Sequence, residues 1–443
     1  MVIIMILERL YNKARRCIFD AIESMPSLIA KPLSLIVVYM QNANNINEIK
    51  KITREKQSSP YTIKNMMVNN ILIIRLDSIG DMMWTTPFIR ELRRNFPDAN
   101  IDMIVRPVAS TLLKNCPYID NIYEYDCPVG DNDKQEKNEV KKARAEDFMQ
   151  SLLKKKNAQY DYVFLPREIF MGDMLDNIYL AQYSRGKYLF GRSYGTNQIE
   201  LARSHYAKKI FSAFSLMIKP EHEVLQILDE LSLVGKSYKS TAMEVWLSQE
   251  EADFASDWCA VNNLKNNDIV IGVGLKGSAA SRSWKIENYK AVFSSVKAYR
   301  GRKVWFVLLG DRALSQADVA GLGSFGNVID MAGKTSLRQV VALLSRITVY
   351  LGADTGIMHV ATAFKKPVVE ISGHFQNGRI MDSGSAVLVG PWNVEKIVLE
   401  PPGGLDGCVG WCTASYSHCI NQVRPEQVAE ALRIMFDKLH FEK

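Results

Sequence analysis

Short apolar runs alternate with helical patterns along most of this 443-residue chain, and this alternation restricts the fold more than any other feature. The apolar run Asn70–Leu76 is followed by a polar turn, a helical pattern over Met82–Asn95 and a second apolar run, Ile101–Val105. Strand, helix and strand in this order predict a βαβ unit with parallel strands and a right-handed crossover. The chain is therefore predicted to be an α/β protein built on parallel sheets.

A second series of alternating strands and helices begins after Trp246. Strands are predicted at 269–273, 304–309, 349–351 and 367–372, and helices at 288–299 and 337–345. A chain of this length is typical of two or three domains. We predict two doubly wound domains, residues 67–245 and 246–443, with a cleft between them.

The first 66 residues are predicted to form a basic, apolar, helical extension and linker. Residues 1–64 contain ten Lys and Arg but five Asp and Glu, so +5 of the net charge of +7 lies there. Such a segment suits an anionic membrane surface, and the alternative is an extension that packs on its own protein. The apolar run Pro32–Met40 is about half of the roughly 20 residues that a membrane-spanning helix needs.

Seven cysteines are an odd set in a large chain and favour reduced thiols over a disulfide framework. No cleavable signal peptide is predicted. We expect a cytoplasmic protein, with a peripheral position on the inner face of the cytoplasmic membrane as the alternative. No nucleic-acid partner is predicted.

The segment Val349–His359 predicts a buried strand, a tight turn and a new helix. Ligands bind at the carboxyl ends of strands in open α/β sheets, and a helix N-terminus favours an anion. Asp354, Thr355 and His359 would face that ligand. The alternative is an ordinary strand–turn–helix with a capping Asp or Thr.

Three further turns follow predicted strands. Asp81, beside Gly80, is a helix cap or, if it faces a cleft, a candidate general base. The loop Gly272–Trp284 lacks the Walker spacing, but its small residues and Arg282 could hold a diphosphate; the alternative is a surface loop. Asp311 ends a strand where an acid often binds ribose hydroxyls.

A cysteine-bearing segment lies near the C-terminus, with Cys408, Cys412 and Cys419 beside His418. Four metal ligands are present in composition. The spacing is not the paired C-x2-C of common zinc sites, so we favour buried thiols, with a metal site as the alternative.

Taken in order, these segments resemble the bacterial heptosyltransferases of glycosyltransferase family 9 from about Asn69 to Leu432. The resemblance is carried by ILIIRLDSIGDMMWTTPFIRELRRNFPDANIDMIV, YDYVFLPR, HEVLQILDELSLVG, GVGLKGSAASRSWKIENY, LLGDRA, the stretch from MAGKTS to VVEISG that includes GADTGIMH, and the cysteine-bearing tail. The GDxxxxTP and DTGxxH segments together are the specific part of the pattern.

The resemblance implies a GT-B fold, with two Rossmann-like domains and an active site in the cleft. It implies that Asp81 is the catalytic base and that Arg282 pairs with the donor diphosphate where the family often has Lys. The implied donor-binding residues are Gly80, Gly277, Ser278, Asp311, Thr335, Asp354, Thr355, Gly356 and His359. Gly277 and Ser278 stand where relatives have phosphate-contacting Thr residues.

The function implied is inverting, metal-independent transfer of a heptose from ADP-heptose, or a related nucleotide sugar, to a lipopolysaccharide or other surface-glycan acceptor. No cofactor is implied, and the absence of a DxD metal motif agrees with this. The alternatives are a nucleotide-sugar epimerase of the same fold and a non-catalytic sugar-binding relative.

Overall fold

The computed structural model describes residues 67–439 apart from 129–132, 134, 169–174, 195–210, 218, 276, 278, 312–314, 316–317, 319–320, 381–383, 406 and 409–411. The predicted extension, residues 1–66, lies outside the described residues. Within the described part of the chain, no helix combines the length and the hydrophobicity needed to cross a lipid bilayer.

The first half of the described chain forms a parallel sheet with helices around it. Its strands are β1 Asn70–Arg75, β2 Asn100–Val105, β3 Asn121–Glu124, β4 Tyr162–Glu168, β5 Tyr188–Tyr194 and β6 Ala213–Met217. Its helices are α1 Ile79–Asn95, α2 Pro107–Leu113, α3 Asn138–Lys156, α4 Asp176–Tyr183 and α5 Glu223–Asp229, and the 3-10 helix η1 is Glu230–Val234. The strand order is β3-β2-β1-β4-β5-β6, with every pairing parallel.

The second half forms another sheet of the same kind. Its strands are β7 Ile269–Gly274, β8 Ala298–Tyr299, β9 Arg302–Leu309, β10 Val328–Asp330, β11 Val349–Gly352, β12 Val368–Ile371 and β13 Lys396–Leu399. Its helices are α6 Gln249–Val261, α7 Ile286–Ser295, α8 Leu337–Arg346, α9 Gly356–Ala363, α10 Ala386–Val389 and α11 Pro425–Lys438. Three 3-10 helices accompany them, η2 Ala280–Arg282, η3 Leu322–Phe325 and η4 Cys419–Gln422.

The two sheets have the same topology. The second runs β10-β9-β7-β11-β12-β13 in parallel, with the short β8 antiparallel to β9. Counted within each half, and leaving β8 aside, both follow the 3-2-1-4-5-6 order of the Rossmann fold. All these strands are parallel, but the order in which they are added to the sheet changes side between β1 and β4 in the first sheet and between β7 and β11 in the second. These two switch points are where a doubly wound sheet binds ligands.

Continuous burial explains why these runs form central strands. Every residue of β7, β11 and β12 is buried, as are all residues of β1 after Asn70. Strands of a parallel sheet are covered by helices on both faces, so their apolar residues do not alternate with polar ones.

Helix α1 of the first half packs directly on α9 of the second. A Cβ added to Gly356 would lie 2.5 Å from Cβ of Ile79 and 3.2 Å from the backbone nitrogen of Gly80. A side chain does not fit at that spacing, so glycine is required where the two helix N-termini meet. This contact joins the two halves at the edge of the cleft.

Candidate active site

A cavity of about 530 Å³ lies between the two switch points. Its wall combines residues that follow strands of both sheets with the first turns of α1 and α9. The lining residues are Arg75, Asp77, Ser78, Ile79, Gly80, Asp81, Trp84, Arg167, Arg192, Glu223, Gly277, Arg282, Asp311, Asp354, Thr355, Gly356, His359, Gly384 and Val389. The volume is within the usual range for a small-molecule site.

The cavity brings together most of the residues that the sequence singled out. Gly80, Asp81, Gly277, Arg282, Asp311, Asp354, Thr355, Gly356 and His359 all line it. Thr335 does not line the cavity; its hydroxyl donates to the carbonyl of Met331 at 3.3 Å. Ser278 lies outside the described residues.

Two carboxylates at the start of α1 share one buried arginine. Nε of Arg75 lies 3.0 Å from an oxygen of Asp77, and its NH2 group lies 3.1 Å from Oδ1 of Asp81. Arg167 adds a second contact to Asp77 at 2.8 Å. Asp77 therefore has two cationic partners, whereas Asp81 shares one.

This unequal pairing separates the pKa values of the two acids. Burial raises the pKa of Asp77, but the Arg167 and Arg75 guanidinium groups outweigh it and the pKa is lowered overall. For Asp81, burial in the cleft and then the charge of Asp77 raise the pKa to about 6, against the weaker opposing effect of Arg75. Two carboxyls with pKa values driven apart are a common arrangement at catalytic sites.

Asp81 is held in place by the first turn of α1. Its Oδ2 accepts a hydrogen bond from the backbone N–H of Ser78 at 3.2 Å, which satisfies a donor at the helix start. Some 32% of its side-chain area remains exposed to the cavity. The carboxylate is fixed but accessible, as a general base must be.

The first turn of α9 forms the opposite wall. Thr355 is its N-cap residue, and its hydroxyl is hydrogen-bonded to the hydroxyl of the buried Tyr350 at 2.9 Å. The first N–H groups of the helix have no partners within the helix and attract a negative group. The turn predicted from Val349–His359 is thus confirmed as a strand, a turn and a helix that faces a cavity.

His359 links this turn to the first half of the molecule. Its Nδ1 accepts from Nε1 of Trp84 at 3.2 Å, and its Nε2 lies 3.3 Å from Oδ1 of Asp354. The indole N–H can only donate, so Nδ1 carries no proton and Nε2–H donates to Asp354. His359 is buried and orients Asp354.

Arg282 lies on η2, in the loop that follows β7. Gly277 allows the loop to fold back, because an added Cβ would lie 2.8 Å from Cβ of Arg282. The Gly277 N–H donates to the Ser283 hydroxyl at 3.1 Å and closes the loop. The guanidinium of Arg282 lies 3.8 Å from Asp354 and lines the cavity, and a guanidinium is a group that binds phosphate oxygens.

A family model described as glycosyltransferase family 9 (heptosyltransferase) matches residues 154–399, more than half of the chain. The chain belongs to glycosyltransferase family 9. It is therefore a glycosyltransferase, in agreement with the resemblance seen in its sequence motifs.

Relatives agree with this membership. The lipopolysaccharide core heptosyltransferase OpsX of Haemophilus influenzae is 22% identical over 301 residues, which are 68% of this chain and 78% of that protein. A family 9 glycosyltransferase structure from Veillonella parvula has a TM-score of 0.64 at 17% identity and covers 84% of this chain and 99% of its own. The structure of ADP-heptose LPS heptosyltransferase II of Escherichia coli has a TM-score of 0.58 at 17% identity, with the same coverage. These structures confirm the predicted GT-B fold.

Several lining residues of this family 9 glycosyltransferase were not predicted from its sequence. They are the charged residues Arg75, Asp77, Arg167, Arg192 and Glu223. Arg75, Asp77 and Arg167 follow apolar runs, so polar residues at strand ends were an available signal. Arg192 lies on β5, a strand without a clear sequence pattern, so it offered no such signal. Its guanidinium pairs with Glu223 at the start of α5.

Proposed function

We propose that this family 9 enzyme transfers a heptose from ADP-heptose to a lipopolysaccharide-core or related surface-glycan acceptor, with inversion at the anomeric carbon and without a catalytic metal. One observation carries the proposal: a single cavity holds the partly exposed Asp81 carboxylate, the first turn of α9 and the Arg282 guanidinium. These are the groups that a displacement at an anomeric carbon needs, namely a base for the nucleophile and positive charge for the leaving group.

Asp81 is the general base in this proposal. The acceptor hydroxyl loses its proton to the Asp81 carboxylate as its oxygen attacks the anomeric carbon. A pKa of about 6 keeps Asp81 ionised at neutral pH and makes it a stronger base than an ordinary aspartate. Burial is the main cause of this raised pKa, and the charge of Asp77, held ionised by Arg75 and Arg167, raises it further.

The leaving group is a nucleoside diphosphate, on which negative charge grows as the glycosidic bond breaks. Arg282 and the N–H groups at the start of α9 stabilise that charge without moving. Asp354, positioned by His359, accepts from hydroxyls of the sugar, and Asp311 accepts from the ribose. One face of the bound donor is then left for attack from the Asp81 side.

The substrate assignment rests on relatives. The similar solved structure from Escherichia coli is described as an ADP-heptose LPS heptosyltransferase, and OpsX is described as a lipopolysaccharide core heptosyltransferase. An ADP-heptose donor and a lipopolysaccharide-type acceptor are therefore the substrates to test first.

The test is a transfer assay with the purified full-length protein, ADP-heptose and a panel of truncated lipopolysaccharide cores. ADP release that depends on the acceptor, with inverted anomeric configuration by NMR, is expected. Adding or omitting Mg²⁺ should leave the rate unchanged. A new nucleotide sugar formed from the donor alone would instead identify an epimerase, and transfer from a UDP-sugar but not from ADP-heptose would overturn the donor assignment.

A further inference from the structure

Four potential metal ligands converge between β13 and α11, outside the active-site cavity. Sγ of Cys408 lies 4.0 Å from Sγ of Cys412, and Nδ1 of His418 lies 3.7 Å from each of these sulfurs. Sγ of Cys419 is 3.3 Å from the same nitrogen. All four atoms lie within 4.8 Å of one another.

The four distances given above, 3.3–4.0 Å, are close to the edges of a tetrahedron around one ion. With metal–sulfur bonds of about 2.3 Å and metal–nitrogen bonds of about 2.0–2.1 Å, tetrahedral angles place two sulfurs about 3.8 Å apart and a sulfur and a nitrogen about 3.6 Å apart. The observed sulfur–sulfur separation of 4.0 Å is far from the ~2.05 Å of a disulfide bond.

The local backbone is shaped to present these ligands. A Cβ added to Gly404 would lie 2.0 Å from the carbonyl oxygen of Cys408, so the turn that delivers Cys408 requires glycine. The Leu405 N–H donates to Sγ of Cys419 at 3.4 Å. Such contacts from outside the ligand set orient a thiolate and stabilise its charge.

Burial does not account for the cluster. Cys419 is buried, whereas Cys408 and Cys412 are only partly buried, so the buried-thiol interpretation of the sequence does not hold for two of the three cysteines. Thiols that serve only as small apolar residues have no reason to surround a histidine nitrogen.

We propose that Cys408, Cys412, His418 and Cys419 bind one tetrahedral transition-metal ion, Zn²⁺ or Fe²⁺. Thiolates together with an imidazole suit these ions, whereas Mg²⁺ and Ca²⁺ require oxygen ligands. Four protein ligands fill a tetrahedral coordination sphere and leave no position for substrate. The ion is structural and takes no part in the transfer chemistry.

The site connects to the loop that carries Arg282. Cys419 begins η4, and just after η4 the carbonyl of Val423 accepts from Nε1 of Trp284 at 2.9 Å. Within η4, the side chain of Asn421 accepts from the backbone N–H of Lys285 at 3.4 Å. An ion that fixes η4 therefore positions the donor loop, a consequence that rests on the proposed function.

The test begins with elemental analysis of the full-length protein, purified under reducing conditions from cells supplied with zinc and iron. About one equivalent of Zn or Fe per chain is expected, and the element found decides between the two. After removal of the ion, Co²⁺ titration of the wild-type protein should give thiolate charge-transfer and tetrahedral d–d bands that saturate at one equivalent.

The double variant Cys408→Ser/Cys412→Ser should lose the metal and the Co²⁺ bands, whereas the matched control Cys116→Ser/Cys259→Ser should keep both. Wild-type protein without metal and without a Co²⁺ thiolate band would overturn the proposal, as would a Cys408–Cys412 disulfide or an unchanged metal content in the first variant. None of these measurements uses a sugar substrate, so a negative result for the metal site can be told apart from a negative result for the proposed transferase function.

Discussion

Replacing Asp81 by Asn tests the proposed mechanism most directly. Asn keeps the shape of the side chain and an oxygen that accepts from the Ser78 N–H, so the first turn of α1 stays intact. What is lost is the ability to take a proton, together with the ion pair to Arg75. Loss of a general base typically lowers the rate by about 10²–10⁴-fold, or ~2.7–5.4 kcal/mol of transition-state stabilisation. We expect kcat/KM for acceptor to fall by that factor with little change in donor binding.

The pH profile distinguishes this role from a structural one. With a pKa of about 6, roughly 97% of Asp81 is ionised at pH 7.5 but only about 9% at pH 5, so wild-type kcat/KM should fall about tenfold over this range. An aspartate with an ordinary pKa of about 3.9 would still be about 93% ionised at pH 5, and the rate would hardly change. The Asp81→Asn variant should not show this fall in kcat/KM between pH 7.5 and 5.

The matched control is Asp257→Asn, a change of the same chemistry at an exposed position on α6. It should leave both the rate and the profile unaltered. A wild-type profile that is flat between pH 7.5 and 5, or an Asp81→Asn variant with more than a tenth of wild-type kcat/KM, would refute the assignment of Asp81 as the base.

Three further predictions concern other parts of the cleft. Arg282→Ala should lower kcat by about 10²–10³-fold in steady-state assays because the leaving diphosphate loses its cation, and Arg282→Lys should restore most of it. Gly356→Ala should cost about 1–3 kcal/mol, or several degrees in Tm by calorimetry, since its Cβ has no space; Gly310→Ala, whose Cβ meets its nearest neighbour at 4.0 Å, should be nearly neutral. Burial, and then the charge of Asp354, raise the pKa of Glu370 from 4.5 to about 8. Because the folded state favours the protonated form of Glu370, the contribution of this group to the free energy of unfolding is complete below pH 4.5 and is lost as the pH rises to 8. Denaturant titrations should show a free energy of unfolding that depends less on pH for Glu370→Gln than for the wild type.

The elements that could be predicted from the sequence are those whose burial is continuous. Central strands such as β1, β7 and β11 are apolar runs bounded by turns, and each was predicted to within a residue or two of its observed ends. Helix α6 was not predicted, because Ala255 is its only buried residue and its apolar pattern is weak. The predicted start of α1 at Met82 was three residues late, since its first turn contains glycine and aspartate in place of an apolar pattern.

The candidate active site also contains residues that could be predicted from the sequence and residues that could not. Turns at strand ends are local features, so Asp81, Arg282 and Asp354 could be picked out one at a time, and the family motifs gave them roles. The electrostatic partners are not local. The contact of Arg167 with Asp77 spans 90 residues of sequence, and Trp84 and His359 are 275 residues apart. The raised pKa of Asp81 depends on such contacts and could not be derived from the sequence.

The contact between the two halves explains why the chemistry is confined to one place. Gly356 lets α9 approach α1 until their N-termini touch, and the Trp84 N–H fixes His359, which in turn orients Asp354. The proposed base therefore belongs to one sheet and the proposed donor turn to the other, yet both lie beside a single interface next to the cavity. A change that loosens this interface moves Asp81 and Asp354 relative to each other, so it should lower the rate of transfer even where each half still binds its own substrate.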